Sequence, residues 1–360
     1  MNNKQTQNFS FQSGLSQDVW AFSDLILKTR FARALEEGVA CYPIHRTLRF
    51  AARMELEALF DDLALNLGWP AYRLGDDGLL LDGEGVFIIG HGGRKADYCS
   101  CSFDIWAAGI EVAEHARETI RARVGTTRIT DPMFSIDWHF LTAKGSLESA
   151  DIEEMADDLL LDAAYPEMQG GVAKFIGAYL DAPETVLVLQ GPPGTGKTRL
   201  IRAILGEISR RKDGQAQALY TGDKKALEND EIFVKFITGW DDAFVIEDAD
   251  HILKPRCDGN EHLHRFLAIA DGVVRAQGRK IIFSTNLPNV GDLDEALIRP
   301  GRCYARVSVR ELSQGEAWAL VEQLSAARGH RAAQAHQILA ATDKKRYSTA
   351  EIYKAVALAG

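Results

Sequence analysis

The sequence predicts a doubly wound parallel α/β sheet with a small helical bundle at its C-terminal end, preceded by an α+β region. Three observations predict it. From about residue 184, apolar runs of strand length alternate with longer amphipathic stretches, the pattern of parallel strands joined by helical crossovers. The first of these runs, "ETVLVLQ", is β-branched or apolar at its centre and leads straight into a glycine-rich turn. Three successive helical patterns close the chain.

The 360 residues suggest two or three domains, and a balance of 46% hydrophobic to 26% charged side chains is that of a globular protein with a sizeable core. Net charge is −10, split evenly. Residues 1–150 carry 15 basic and 20 acidic side chains and the remainder 26 and 31, so each part stands at −5. Neither part has the basic excess of a broad nucleic-acid surface, although a basic stripe lining a ring of subunits would escape this count. There is no signal-peptide pattern and no apolar run of membrane-spanning length, so a cytoplasmic protein without membrane contact is expected. The five cysteines form no CxxC pair, which argues against a disulfide framework or a zinc ribbon. Cys257 lies near His251, His262 and His264, but their spacing fits no zinc pattern, and a polar loop entering a helix is the simpler reading.

Residues 1–17 are polar and aperiodic and are expected to be a disordered tail. A helical face follows from Asp18, with Val19, Phe22, Leu25, Ile26 and Phe31 on one side. A second amphipathic helix is expected from about Thr47 to Leu67. "GLLLDGEGVFIIG" reads as a hairpin turning at Asp82-Gly83, "YCSCSFDIWA" as a strand, "IEVAEHARETIRARV" as a helix and "MFSIDWHFLT" as a further strand. Residues 18–150 therefore form an α+β domain. His91 and His115 read as structural or surface residues. Asp137 and His139 share a strand face opposite Trp138 and Phe140, as a polar face or, less simply, an acid–histidine dyad. An acid-rich linker, 151–165, leads to the α/β core, 166–310, and the helical lid, 311–360. "VAKFIGAYL" is a short helix at the start of the core, and Ser313 and Ser348 are the expected N-caps of lid helices.

"GPPGTGKT" matches G-x-x-x-x-G-K-[ST] and sits between a predicted strand and the predicted helix "RLIRAILGEISRR". That is the context in which this motif, the P-loop or Walker A, wraps a nucleotide phosphate chain. Gly191, Gly194 and Gly196 let the backbone curl so that its N–H groups, with those of Pro192–Thr195 where present, face phosphate oxygens. Gly191, Pro192, Pro193, Gly194, Thr195, Gly196, Lys197 and Thr198 are thus the candidate ATP-binding residues. Lys197 reaches the β- and γ-phosphates, and Thr198 offers its hydroxyl to magnesium. The buried run "AFVIEDAD" ends in two adjacent acids, Glu247 and Asp248. In the usual order Asp precedes Glu. Adjacent residues at a strand end point to different faces, so position decides role: Glu247 serves the magnesium shell and Asp248 polarises the attacking water. "KIIFSTN" is a strand ending in Ser284, Thr285 and Asn286, and Asn286 is the candidate partner for the water or the γ-phosphate. Arg299 and Arg302 flank Pro300-Gly301 on an exposed turn, placed to act as arginine fingers on a neighbouring subunit.

"GPPGTGKT", "FVIEDAD", "FSTN" and "LDEALIRPGR" together resemble the AAA family of ring ATPases over roughly residues 166–360. Within it, the Glu-Asp order and "HRFLAIADG" are similar to the mitochondrial AAA translocases of the Rieske iron–sulfur protein, where the same swap occurs in working enzymes. The first 165 residues do not match that group. The resemblance implies an ATPase that uses Mg2+ and ATP in a homo-oligomeric ring, expected as a hexamer, and that remodels or moves a protein partner selected by residues 18–150. Two departures stand out. "STAE" at 348–351 replaces the family's Ser-Gly-Ala-Asp and carries no arginine, and "DKKALENDEIF" lacks the aromatic–Gly grip of threading members, leaving Lys224, Lys225 and Leu227 as pore candidates or simply solvated. A DNA-associated ATPase of a replication, plasmid or defence system is the alternative reading, as is a slow nucleotide-controlled assembly switch.

Overall fold

A computed structural model describes residues 42–360 apart from 75, 95–97, 130–132, 143–146, 156–159, 213–215, 256–262, 272–277 and 290–292. Before residue 42 it describes only Gln7–Phe9, Leu25, Lys28, Thr29, Ala32 and Glu36. The last five are helical and exposed, and the rest of the helix expected from Asp18 lies outside the described residues. So does the expected tail of 1–17, except that Gln7–Phe9 form a strand.

The chain divides into two compact units, Met1–Met133 with Glu153–Met155, and Phe134–Ile152, Ala156–Lys212 and Ala216–Gly360. The first is built on a seven-stranded sheet ordered β1-β3-β4-β5-β6-β2-β7: β1 Gln7–Phe9, β2 Ile44–Ala52, β3 Ala71–Leu74, β4 Gly78–Gly83, β5 Val86–Arg94, β6 Cys99–Ala107 and β7 Arg128–Ile129. Its ladders are antiparallel except the parallel pair β1–β3. Two helices, α1 Leu56–Asn66 and α2 Ile110–Val124, share its core. The segment expected as one helix from Thr47 is in fact a strand followed by a helix. "IHRTLRFAA" pairs residue for residue with β6, burying Leu48 and Phe50, and helical periodicity starts only at Leu56. The hairpin turns at Glu84-Gly85, two residues later than expected, because Asp82 and Gly83 still pair with Phe87 and Val86. Gly85 supplies the left-handed turn residue, with φ +71°.

The second unit holds a seven-stranded sheet ordered β14-β10-β13-β12-β11-β8-β9. Its strands are β8 Met133–Leu141, β9 Leu147–Met155, β10 Val186–Gln190, β11 Ala216–Thr221, β12 Ala243–Ile246, β13 Lys280–Thr285 and β14 Cys303–Ser308. All pairs from β14 to β8 are parallel. The core strands read as unbroken apolar runs because both faces are covered. Leu187 and Leu189 of β10 face one cluster, with α3 Val172–Asp181, α4 Lys197–Arg211 and the lid. Val186 and Val188 face the other, with α5 Asp230–Thr238, α6 Asp250–Leu253 and α7 Leu263–Asp271. The lid comprises the short antiparallel pair β15 Leu312–Ser313 and β16 Arg346–Tyr347, with α8 Gln314–Arg328, α9 Ala332–Ala340 and α10 Thr349–Leu358. Ser313 and Ser348 head capping boxes closed by Glu316 and Glu351, as their sequence positions predict.

Two boundaries shift. β8, expected in the N-terminal domain, joins this sheet by parallel pairing with β11, from Phe134↔Ala216 to Trp138↔Tyr220. The end of the expected linker is core: Ala164 and Tyr165 are buried beside α3 and the lid. Leu227 is also buried, packed with α5 and β12, so only Lys224 and Lys225 of the pore candidates are exposed. Cys257 and His262 lie outside the described residues, and among the described ones no group of three His, Cys, Asp or Glu side chains is placed to hold a metal ion. No helix among the described residues is long and apolar enough to cross a membrane.

The β8 faces are reversed from a solvated polar strand. Asp137 and His139 are buried, whereas Trp138 and Phe140 are exposed. Lys235 of α5 makes this tolerable by forming an ion pair with Asp137, and His139 Nε2 lies 3.1 Å from the same carboxylate. Burial pushes the Asp137 carboxyl up, but His139 and Lys235 outweigh it and hold the pKa at about 2. The folded value is below the unfolded one, so the stabilisation is present above about pH 4 and is lost as pH falls toward 2. Asp137→Asn is expected to lower the unfolding free energy by about 2 kcal/mol at neutral pH and by far less near pH 2. Urea unfolding at the two pH values checks this, and equal losses would contradict it.

Candidate active site

Strand order assembles the site. β10, β13 and β12 are neighbours, so the P-loop after β10, the polar end of β13 and the acids after β12 meet at the same sheet edge, beyond the strands' C-terminal ends. They line a cavity of about 550 Å3 together with Arg199, Arg202 and lid residues Thr349 and Ala350. Its size suits a small organic ligand.

The P-loop needs its glycines for space as well as rotation. A Cβ on Gly191 would stand 1.8 Å from the Val309 carbonyl oxygen, which no side chain tolerates. Gly196, at φ +99°, precedes the first residue of α4, so Lys197 and Thr198 open that helix at its positive end. Lys197 Nζ donates to the carbonyl oxygens of Gly191 (2.6 Å) and Pro192 (2.9 Å) and to Asn286 Oδ1 (2.9 Å). Burial pulls its pKa down, while Asp248, Glu247 and Asp250 pull the other way. Asn286 Nδ2 donates to Asp248 Oδ1 at 2.9 Å, so this one amide touches both the phosphate-loop lysine and the acid.

The two acids diverge, but not through strand alternation. β12 ends at Ile246, and Asp248 lies in the left-handed region at φ +49°. Asp occupies that region far more readily than Glu, and a longer side chain there costs on the order of 1 kcal/mol. The shorter acid thus stands on the left-handed residue. Glu247 Oε1 accepts from Thr198 Oγ1 (2.5 Å) and its Oε2 from Tyr220 OH (2.7 Å). Asp248 N–H donates weakly to Ser284 Oγ at 3.4 Å.

Thr198, Glu247 and Asp248 offer only hard oxygen donors, the set that suits Mg2+. An ionised Glu247 can only accept, so Thr198 gives it the hydroxyl proton and keeps its lone pairs for a cation. The residues therefore fit the metal.

Several contributors escaped the sequence reading. Asp250, third acid of "EDAD", accepts from Thr285 Oγ1 (2.5 Å) and from Asn286 N–H (2.9 Å), fixing the β13 end that carries Asn286. Tyr165 donates to the Gly196 carbonyl at 2.9 Å. Thr349 Oγ1 and Ala350 N–H both donate to the Gly194 carbonyl at 2.9 Å, so the Thr that replaces the family's Gly ties the lid to the P-loop. The Arg199 guanidinium stacks 3.6 Å above the Tyr353 ring of α10. The one signal for Asp250 was its position as a first-turn acid. The tyrosine and arginine contacts had no local pattern. Arg299 is exposed and Arg302 half-buried, bonded to the Ala296 carbonyl, and neither lines the cavity of its own chain.

Residues 187–311 match the family model "ATPase family associated with various cellular activities (AAA)". Similar proteins include the ATP-dependent zinc metalloprotease YME1 homolog of Caenorhabditis elegans, 30% identical over 246 residues, covering 63% of this chain and 32% of that one. Mouse peroxisomal ATPase PEX6 is 27% identical over 220 residues, 58% of this chain and 20% of its own. The proteasome-activating nucleotidase of Pyrococcus furiosus is 31% identical over 163 residues, 42% and 39% of the two chains. The chain thus spans less than two fifths of the length of each of these relatives. The α/β core around the P-loop is an ATPase domain of the AAA family.

Proposed function

We propose that the protein binds Mg–ATP at this site, hydrolyses it to ADP and phosphate, and does so as a homo-oligomeric ring that remodels or moves a protein partner. The observation that carries the reading is Asn286, whose amide touches Lys197 on one side and Asp248 on the other, joining the phosphate-binding and water-activating halves. Lys197 leaves its loop carbonyls for the β- and γ-phosphates. Thr198 and Glu247 would hold magnesium, which supplies charge neutralisation on the phosphates. Asp248 accepts the proton of the attacking water while Asn286 holds that water in place. Arg299 and Arg302, outside their own cavity, reach the γ-phosphate of a neighbouring copy, which is why a ring, taken as a hexamer, completes the site. Residues 18–150 choose the partner, in the cytoplasm. Relatives described as ATPases and as a nucleotidase support the chemistry, and the net charge of −10 disfavours a nucleic-acid track.

Lys197→Ala is expected to abolish binding of a fluorescent ATP analogue, since the main positive charge of the phosphate loop is removed. Equal binding by variant and parent refutes the placement of ATP here.

A further inference from the structure

Glu247 is held from two sides, and only one of them belongs to the P-loop. Thr198 of α4 takes Oε1, and Tyr220 takes Oε2. Tyr220 is the penultimate residue of β11, directly opposite Val245 on β12, and its phenol reaches Glu247, just beyond the end of that strand, at 2.7 Å. Its ring is fixed in turn. Trp138 of β8 stands opposite it in register and packs edge-on, with centroids 5.6 Å apart at 87°.

A glutamate has one more rotatable bond than an aspartate, and each free rotor lowers the fraction of time that the carboxylate spends in a useful pose. A single contact from Thr198 leaves that freedom largely in place. A second hydroxyl on the other oxygen removes it. We infer that Tyr220 is a positioning residue for Glu247 and, through Glu247 and the Thr198 hydroxyl, for the magnesium site, with Trp138 setting the Tyr220 ring. The inference rests on the Mg–ATP reading above. It also gives the longer acid at 247 a structural partner: the neighbouring strand supplies the anchor that a shorter side chain would not need.

Tyr220→Phe keeps the ring and its contact with Trp138 and deletes only the hydroxyl. The measurement is the affinity of a fluorescent ATP analogue, first in EDTA and then across a Mg2+ titration, with thermal unfolding as a check on folding. Tyr220→Phe is expected to match the parent in EDTA and to need on the order of tenfold more Mg2+ for the half-maximal gain in affinity, the usual scale for losing a group that orients a metal ligand. Trp138→Leu, which retains the phenol but frees its ring, is expected to shift the titration in the same direction by less. In a Glu247→Gln background, Tyr220→Phe is expected to add little, because the two residues act through one another. A parent that responds to Mg2+ while Tyr220→Phe titrates identically overturns the role of Tyr220 alone. Full additivity with Glu247→Gln does the same. A parent whose affinity is indifferent to Mg2+ overturns the magnesium reading beneath it, and the role of Tyr220 falls with it.

Discussion

Asp248→Asn is expected to bind Mg–ATP as the parent does and to hydrolyse it about 10²–10⁴ times more slowly, the range associated with loss of a general base. The substitution is unusually clean at this position. Asn tolerates the left-handed conformation at φ +49° as well as Asp does, so the turn after β12 keeps its shape. The amide oxygen still accepts the hydrogen bond that Asn286 Nδ2 gives to Oδ1. What disappears is the negative charge beside Lys197 and the ability to take a proton from water. ATPase rates paired with fluorescent-nucleotide binding check this, and a variant turning over at the parental rate removes Asp248 from the water-activating role.

Arg299→Ala and Arg302→Ala are expected to leave nucleotide binding largely intact and to depress hydrolysis by about 10³–10⁵, the contribution of arginine fingers to phosphoryl transfer. The two differ in what else they disturb. Arg299 is exposed, so Arg299→Ala is expected to leave the fold of its own chain undisturbed. Arg302 also bonds the Ala296 carbonyl and so supports its own turn, and Arg302→Ala is expected to lower thermal stability slightly as well. Mixing either variant with Lys197→Ala tests action across subunits, because Lys197→Ala retains its arginines and the arginine variants retain a working P-loop. Mixed rings are expected to regain activity that neither protein has alone. Rings that assemble and remain inactive contradict a shared site.

Much of this was legible in the sequence, for a physical reason. The P-loop, the acids after β12 and Asn286 are set by local requirements: glycines at positive φ in a tight turn, an apolar run buried on both faces, a polar residue where a strand ends. Elements whose periodicity is continuous, such as α2 and β10, were equally readable. What was not readable depends on long-range pairing. Alternation in "MFSIDWHFLT" gives the two faces of β8 but not the sheet it joins, and nothing near Asp137 in sequence announces that Lys235 will neutralise it. Tyr220 is an ordinary strand tyrosine until β11 is placed beside β12. "TLRFAA" reads as the start of a helix because its apolar residues lie just ahead of an amphipathic run, and only its partner β6 decides for a strand. Strand alternation predicts that the two acids point apart, but they diverge at a turn after Ile246 whose left-handed residue the sequence does not display.

In the proposed mechanism position assigns the two acids their roles, Glu247 to magnesium and Asp248 to water, in a working ATPase. The most direct test is the ATPase rate of the parent, Glu247→Gln and Asp248→Asn across a magnesium titration, each in its assembled form. Glu247→Gln is expected to be impaired at low Mg2+ and to recover substantially as Mg2+ rises, whereas Asp248→Asn is expected to bind nucleotide and stay nearly inactive at every concentration. The contradicting result is the reverse: Glu247→Gln inactive throughout, with Asp248→Asn turning over like the parent.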